Sequence, residues 1–163
     1  MLHLNNRILQ RYVDNHLCTH ESDFQKFCFL CSGINVKMMA MSLLTSGERF
    51  AKNAFANPED IPLGNKNQGK VTFTDPDVER VRRNHLNDIE NILPFVVIGM
   101  LYVATNPNAM VALWHFRIFF FSRIFHTIAY QVPLPQPSRA IGFTVGYLTT
   151  ISMAVQLFLA LLK

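Results

Sequence analysis

From Ala140 to Leu162 the chain runs for 23 residues without one charged side chain. As a helix it would be about 34 Å long, enough for the hydrocarbon core of a bilayer. In that medium every backbone N–H and C=O must be satisfied within the segment, which leaves a helix as the only solution for one span. Its neighbours must then be helices able to pack beside it. The composition agrees: half the residues are hydrophobic, 14 are Phe and only 16 % are charged, against about 25 % charged in soluble chains. Four segments qualify, at about 24–44, 88–105, 110–130 and 139–162. The expected fold is all-α: an integral-membrane four-helix bundle forming one domain, 24–163. Residues 1–23 read as a poorly ordered N-terminal tail, with a short amphipathic helix around ILQRYV. Residues 1–22 contain no apolar signal core, so insertion falls to the first span itself. Gly142 and Gly146 form a GxxxG pair, where helix backbones approach closely.

The other segments carry polar residues. The first contains Asn35 and Lys37, and a central Lys costs about 2.5–3.5 kcal/mol on insertion scales. It works as a span if Lys37 meets a carboxylate inside the bundle. The third holds His115, Arg117, Arg123 and His126 among aromatics. The second is entered through DPDVERVRRNHLNDIENILP, Asp75 to Pro94. Asp75 suits an N-cap, Pro76 the first helical position, and Asp77 and Glu79 the positive end of the dipole. Beyond them Arg80, Arg83, Asn87 and Glu90 recur at steps of three and four and share one face. That face leads into FVVIGMLYVA, so it reads as one wall of a polar pocket at the membrane surface. The uncharged TNPNA turn and the proline-rich QVPLPQPSR loop close the hairpins.

Orientation follows from the basic residues. Arg49, Lys52, Lys66, Lys70, Arg80, Arg82 and Arg83 all fall between Gly47 and Leu86. The positive-inside rule places the irregular loop 45–75 and the 131–139 loop in the cytosol. Arg83, Asn87, Asp88 and Glu90, then Arg123, His126 and Tyr130, and finally Arg139 therefore reach one depth, on the cytosolic side. For Asp88, Arg117 and Arg123, mutual ion pairing outweighs ligand contact. His115 and His126 read as hydrogen-bonded core residues. Cys18, Cys28 and Cys31 make no disulfide framework, and CFLC reads as buried small hydrophobes. No metal-ligand spacing, Ser/His/Asp arrangement, phosphate loop or dinucleotide fingerprint occurs. The net charge of +4 lacks the basic stripe of a nucleic-acid binder. Several Arg with Asn, Glu and Tyr suit an anionic, peptide-like ligand, and an opening towards lipid would admit an apolar second substrate.

FANPED (55–60), DPDVERVRRNHLNDIENILPF (75–95), HFRIFFFSRIFHTIAY (115–130) and PLPQPSRA (133–140) resemble the microsomal glutathione S-transferases of the MAPEG superfamily. The nearest branch is the type 1 enzyme, and the likeness covers about residues 35–158. The resemblance implies a homotrimer in the endoplasmic reticulum or outer mitochondrial membrane, with its active site facing the cytosol. It implies glutathione as co-substrate, conjugation to lipophilic electrophiles and peroxidase activity on lipid hydroperoxides. Arg139 of PSRA would hold the thiolate as the catalytic residue. Arg49, Asp60, Arg83, Asn87, Glu90, His126 and Tyr130 match positions that line the glutathione site. Lys37 matches a basic residue that recurs in the first helix of relatives. A prostaglandin E synthase-like isomerase shares most of this pocket, but Leu86, Ala140 and Phe143 depart from its pattern. A catalytically silent assembly partner is the third reading. Ile61 stands where mammalian type 1 enzymes carry a thiol-sensing Cys, which removes activation by that route.

Overall fold

The computed structural model describes residues 2–63 and 69–162, with side chains from residue 21 onward apart from Asp23. The chain forms α1 (Leu2–Lys52), β1 (Ala54–Phe55), a 3-10 turn (Pro58–Asp60), β2 (Lys70–Val71), α2 (Pro76–Ala104), α3 (Ala109–Gln131) and α4 (Ser138–Leu161). α1 packs on α2 and α3, and α4 packs on the same two helices from the other side. α1 and α4 thus occupy opposite corners of a four-helix bundle.

Local chemistry sets the ends. Asp75 caps α2, its Oδ1 accepting from the backbone N–H groups of Asp77 and Val78 at 3.1 Å. Asn108 caps α3 in the same manner through Met110 and Val111. Asn53 and Asn106 leave α1 and α2 with φ of 50° and 52°, a left-handed conformation that Asn tolerates better than most residues.

α1 departs from the expected bounds at both ends. No Pro or Gly interrupts residues 2–32, and helical backbone begins at Leu2 rather than near Phe24. The side chains of the expected tail lie largely outside the described residues. At the other end the helix passes residue 44 and stops at Lys52, so the first turns of the expected 45–75 loop are helical. Thr45 Oγ1 donates to Met41 O there, at 2.8 Å, as a residue within a continuing helix does. The remaining loop is anchored rather than free. Ala54 and Phe55 are buried, Phe55 meets Phe50 edge-on at 5.4 Å, and β1 pairs in parallel with β2. Residues 64–68 of that loop lie outside the described residues.

The core is aromatic. Phe95 stacks on Phe119 at 3.6 Å between ring centroids, and Phe27 and Phe116 close around them at 5.0 Å from each other. Ile34, Ile92, Val103, Ala112 and Met153 complete the cluster. Outside, the bundle is also apolar: Phe29, Leu93, Phe121, Leu148 and Phe158 are all exposed. An apolar exterior around an apolar core is the pattern of a protein dissolved in lipid. Among the described residues, three helices are long and apolar enough to cross a membrane: Phe24–Lys52, Pro76–Ala104 and Ser138–Leu161. α3 is 23 residues long, but two Arg and two His lower its mean hydropathy. It belongs to the bundle through its contact with α4.

That contact depends on glycine. A Cβ on Gly142 would stand 3.1 Å from the His126 Cα, and one on Gly146 would stand 2.8 Å from Ser122 Oγ. Gly142 faces backbone, which cannot swing away. Gly142→Leu is therefore expected to force α3 and α4 apart and lose about 1–3 kcal/mol of stability, read as a lowered thermal midpoint of the purified protein in detergent. Ala in place of the lipid-facing Leu148 should leave that midpoint nearly unchanged.

Candidate functional site

α2 runs antiparallel to α3 across the short TNPNA turn, and this brings Asp88 level with Arg123. Both side chains are fully buried. Arg123 Nη2 donates to Asp88 Oδ1 at 2.8 Å and to Asn87 Oδ1 at 2.7 Å. The second carboxylate oxygen of Asp88 takes the ammonium of Lys37 from α1. One carboxylate thus ties three helices together. The first helix crosses with its lysine inside the bundle, on the carboxylate its insertion requires. Asn35 is also satisfied, donating to Cys31 O at 2.8 Å, while Cys31 is buried among the core aromatics.

From Arg123 a polar line follows α3 towards α4. Arg123 Nη2 also lies 3.3 Å from His126 Nδ1, its two N–H bonds being directed at Asp88 and Asn87. The His126 ring stands 5.5 Å from the Tyr130 ring. The Arg139 guanidinium sits over the Tyr130 ring at 5.0 Å, within cation–π range. Along the same line Arg123 Nε and Nη1, Thr127 Oγ1, Gln131 Nε2 and Arg139 Nε are buried without hydrogen-bond partners among the described residues. Unpartnered donors in a dry environment are costly, and here they collect at one end of the bundle.

The other expected residues lie elsewhere. Arg83 and Glu90 are exposed on the outward face of α2, and Asn87 is half-buried at its edge. The expected face of α2 is thus the outward one: Arg83 and Glu90 point away from the bundle with Asn87 at the edge, while Asn84 and Asp88 take the inward face. Arg80, on the same side, pairs with Asp77 at 3.4 Å. Glu90 opens onto a cleft of about 320 Å³ between α2 and α4, lined also by Pro94, Tyr147 and Thr150. Pro94 has no N–H, so the Glu90 carbonyl lacks its usual helical donor. Arg49 Nη1 donates to Ala54 O at 3.2 Å and pins the loop. Asp60 is exposed on the 3-10 turn and accepts from Asn57 Nδ2 at 3.0 Å. Neither contacts the line from Arg123 to Arg139.

Asn84 and the partners of His115 were not anticipated, although His115 itself was expected to be hydrogen-bonded in the interior. Asn84 is completely buried, with its Oδ1 unpartnered; its place one turn before Asp88 was the available signal. At the opposite end of the bundle, Tyr102 OH donates to Gln156 Oε1 at 2.8 Å. His115 Nδ1 donates to Val111 O at 2.7 Å, leaving Nε2 to accept from Ser152 Oγ at 3.0 Å. His115 is a hydrogen-bonded interior residue that helps join α2, α3 and α4. Among the described residues no three His, Cys, Asp or Glu side chains come together as metal ligands.

Residues 27–159 match the MAPEG family. The chain belongs to that family. It is 51 % identical to microsomal glutathione S-transferase 1 of Homo sapiens over 136 residues, which covers 82 % of this chain and 88 % of the relative. Against the Mus musculus protein of the same name, identity is 52 % over 151 residues, or 91 % and 94 % of the two chains. Prostaglandin E synthase of Bos taurus is more distant, at 42 % over 131 residues, covering 78 % and 83 %. For a MAPEG bundle held on one carboxylate, removing that carboxylate strands two cations. Asp88→Asn is expected to cost about 3–5 kcal/mol, the scale of a broken buried pair. Combining it with Lys37→Met should recover part of the loss, giving a non-additive double-mutant cycle in unfolding measured by circular dichroism.

Proposed function

We propose that the protein is a membrane-bound glutathione S-transferase that conjugates glutathione to lipophilic electrophiles. The observation that carries this reading is Arg139. Its guanidinium is held over Tyr130 with Nε buried and unpartnered, at the end of a polar line that also contains His126. Among the described residues no carboxylate pairs with Arg139, and a cation so placed is available to a ligand anion. A thiolate next to it is stabilised relative to the thiol, by about 1.4 kcal/mol for each unit by which the thiol pKa falls. The thiolate is the reactive form. It attacks the electrophilic carbon, a C–S bond forms, and the leaving group departs with the bonding pair. With a lipid hydroperoxide it attacks the terminal oxygen and expels an alkoxide, which takes up a proton. A second glutathione then displaces hydroxide from sulfur to give the disulfide, so the same site supports peroxidase activity.

The remaining assignments follow from charge. Arg83 suits a carboxylate of glutathione, Glu90 its ammonium, and Asn87 an amide. Arg49 and Asp60, on and beside the anchored loop, are offered as further contacts at its rim. Because Arg83 and Glu90 face outward while Arg139 is half-buried, one chain presents an open half-site. A homotrimer in which another copy covers the outward face of α2 closes it. The basic stretch from Arg49 to Arg83 supports a cytosolic site in a multi-pass protein of the endoplasmic reticulum or outer mitochondrial membrane. The exposed apolar faces let the second substrate enter from the bilayer.

The test uses the detergent-purified protein. Adding glutathione should raise the ultraviolet absorbance of the bound thiolate, and conjugation to chlorodinitrobenzene should follow. Arg139→Ala is expected to abolish the absorbance and lower turnover about 10²-fold, the scale of removing one group that stabilises developing or bound anion. Unchanged absorbance would remove Arg139 from this role. Glu90→Gln should weaken glutathione affinity by roughly tenfold or more, as for loss of a charge-assisted hydrogen bond. Turnover of prostaglandin H2 without conjugation of any electrophile would instead favour the isomerase.

A further inference from the structure

Arg117 takes no part in the line from Arg123 to Arg139. It lies in the middle of α3 and is exposed on the outside of the bundle. The ion pair expected for Arg117 does not form: among the described residues no carboxylate pairs with it, and its guanidinium stands over the face of Trp114, 5.8 Å from the ring centroid. A guanidinium facing hydrocarbon without a counter-charge is costly, and it demands either an anion or a path to the interface. The surface beside it is shaped to supply the first. Arg117 and Phe121 form a ridge with an apolar groove on each side. The groove between α3 and α4 holds about 700 Å³ and is lined by Trp114, Ile118, Phe125, Ile141 and Val145. The groove between α1 and α3 holds about 410 Å³ and is lined by Phe29, Leu30 and Leu113, with Gln25 and Lys26 at one end.

Lys26 lies near the start of the first span, so the second cation and the Gln25 amide sit where that helix enters the membrane. Lys26 Nζ also donates to Ser22 Oγ at 3.3 Å, within the same polar entry. Arg117 reaches into the groove that ends on these groups. The arrangement is a cationic head region from which two apolar troughs run along the two flanks of one helix, both bounded by Arg117. An anionic group between Arg117 and Lys26 would neutralise the exposed guanidinium, and two acyl chains would fill the troughs.

We infer that the Arg117 ridge is a binding site for an anionic diacyl phospholipid, its phosphate held by Arg117 and Lys26 and its chains lying in the grooves on either side of α3. The site is separate from the proposed glutathione site and does not depend on that reading. Its function is structural solvation: it supplies the counter-charge that α3 needs to sit in the bilayer, and it favours acidic over zwitterionic lipid around the protein.

The chain has a single tryptophan, Trp114, and it stands in the larger groove against Arg117. That makes the test direct. The full-length protein is reconstituted in phosphatidylcholine vesicles containing a small, increasing fraction of phosphatidylglycerol brominated in its acyl chains, and Trp114 fluorescence is followed. A parallel series uses brominated phosphatidylcholine. The expected result is quenching by the anionic lipid at mole fractions roughly fivefold lower, the preference one cation near a membrane surface provides. Arg117→Gln should remove most of that preference while the helical circular dichroism is unchanged, and Arg117→Lys should restore part of it. Equal quenching by the two lipids in the wild-type protein would overturn the proposal. So would a preference that survives in Arg117→Gln combined with Lys26→Gln. If neither lipid quenches Trp114, another copy of the chain covers the ridge and no lipid site exists there.

Discussion

The fold depends on a buried carboxylate. Asp88 accepts Lys37 from α1 and Arg123 from α3 while standing on α2, and no water-accessible group could replace it at that depth. Each cation alone would oppose insertion of its own helix; together with Asp88 they become a reason for the three helices to associate. Hydrophobic burial contributes little to such association in lipid, since the bilayer is as apolar as the protein core. What remains is close packing, provided by the stacked Phe95 and Phe119 and by Gly142 and Gly146, and charge pairing. The pairing also sets depth. Sliding one helix along another by a turn would take Arg123 or Lys37 out of reach of Asp88, whereas the Phe cluster tolerates small shifts.

Much of this was legible in the sequence because the bilayer enforces simple rules. The α2 start at Asp75-Pro76, the turn at TNPNA and the last helix, apolar beyond Arg139, appear within a residue or two of where composition and capping place them. The requirement that Lys37 find a carboxylate was also readable, though not which one. The bounds of α1 were not. Polarity marks where a helix leaves hydrocarbon, and it does not mark where the helix ends. TSGERFAK is too polar to be membrane core yet contains no Pro, and its single Gly47 is tolerated within the helix, so α1 runs on to Lys52. The candidate site was legible in its residues and incomplete in its geometry. Steps of three and four put Arg83, Asn87 and Glu90 on one side of α2, but they do not say whether that side faces the bundle. Packing decides it: Val81, Asn84, Asp88 and Ile92 take the interior.

α2 therefore serves two surroundings. Its inward face holds the structural charge pair, and its outward face carries the groups best suited to a polar ligand. Asn87 joins them, because its Oδ1 accepts from Arg123 while the residue lies at the boundary of the two faces. A ligand that engages Asn87 would draw on the same hydrogen bond that steadies Arg123.

The uncharged turn between α2 and α3 has a consequence of another kind. Asp88 and Arg123 lie at nearly equal path lengths from the Thr105–Asn108 segment, one on each arm of a helical hairpin. Adding or removing a single residue on either arm would rotate everything beyond it by about 100°, swinging one partner towards lipid. Substitutions at lipid-facing positions of these arms, such as Leu93 and Leu101, can be absorbed side chain by side chain, but a change of length cannot. The hairpin between Asp88 and Arg123 is therefore a measured length of chain, in which the number of residues matters as much as their identity.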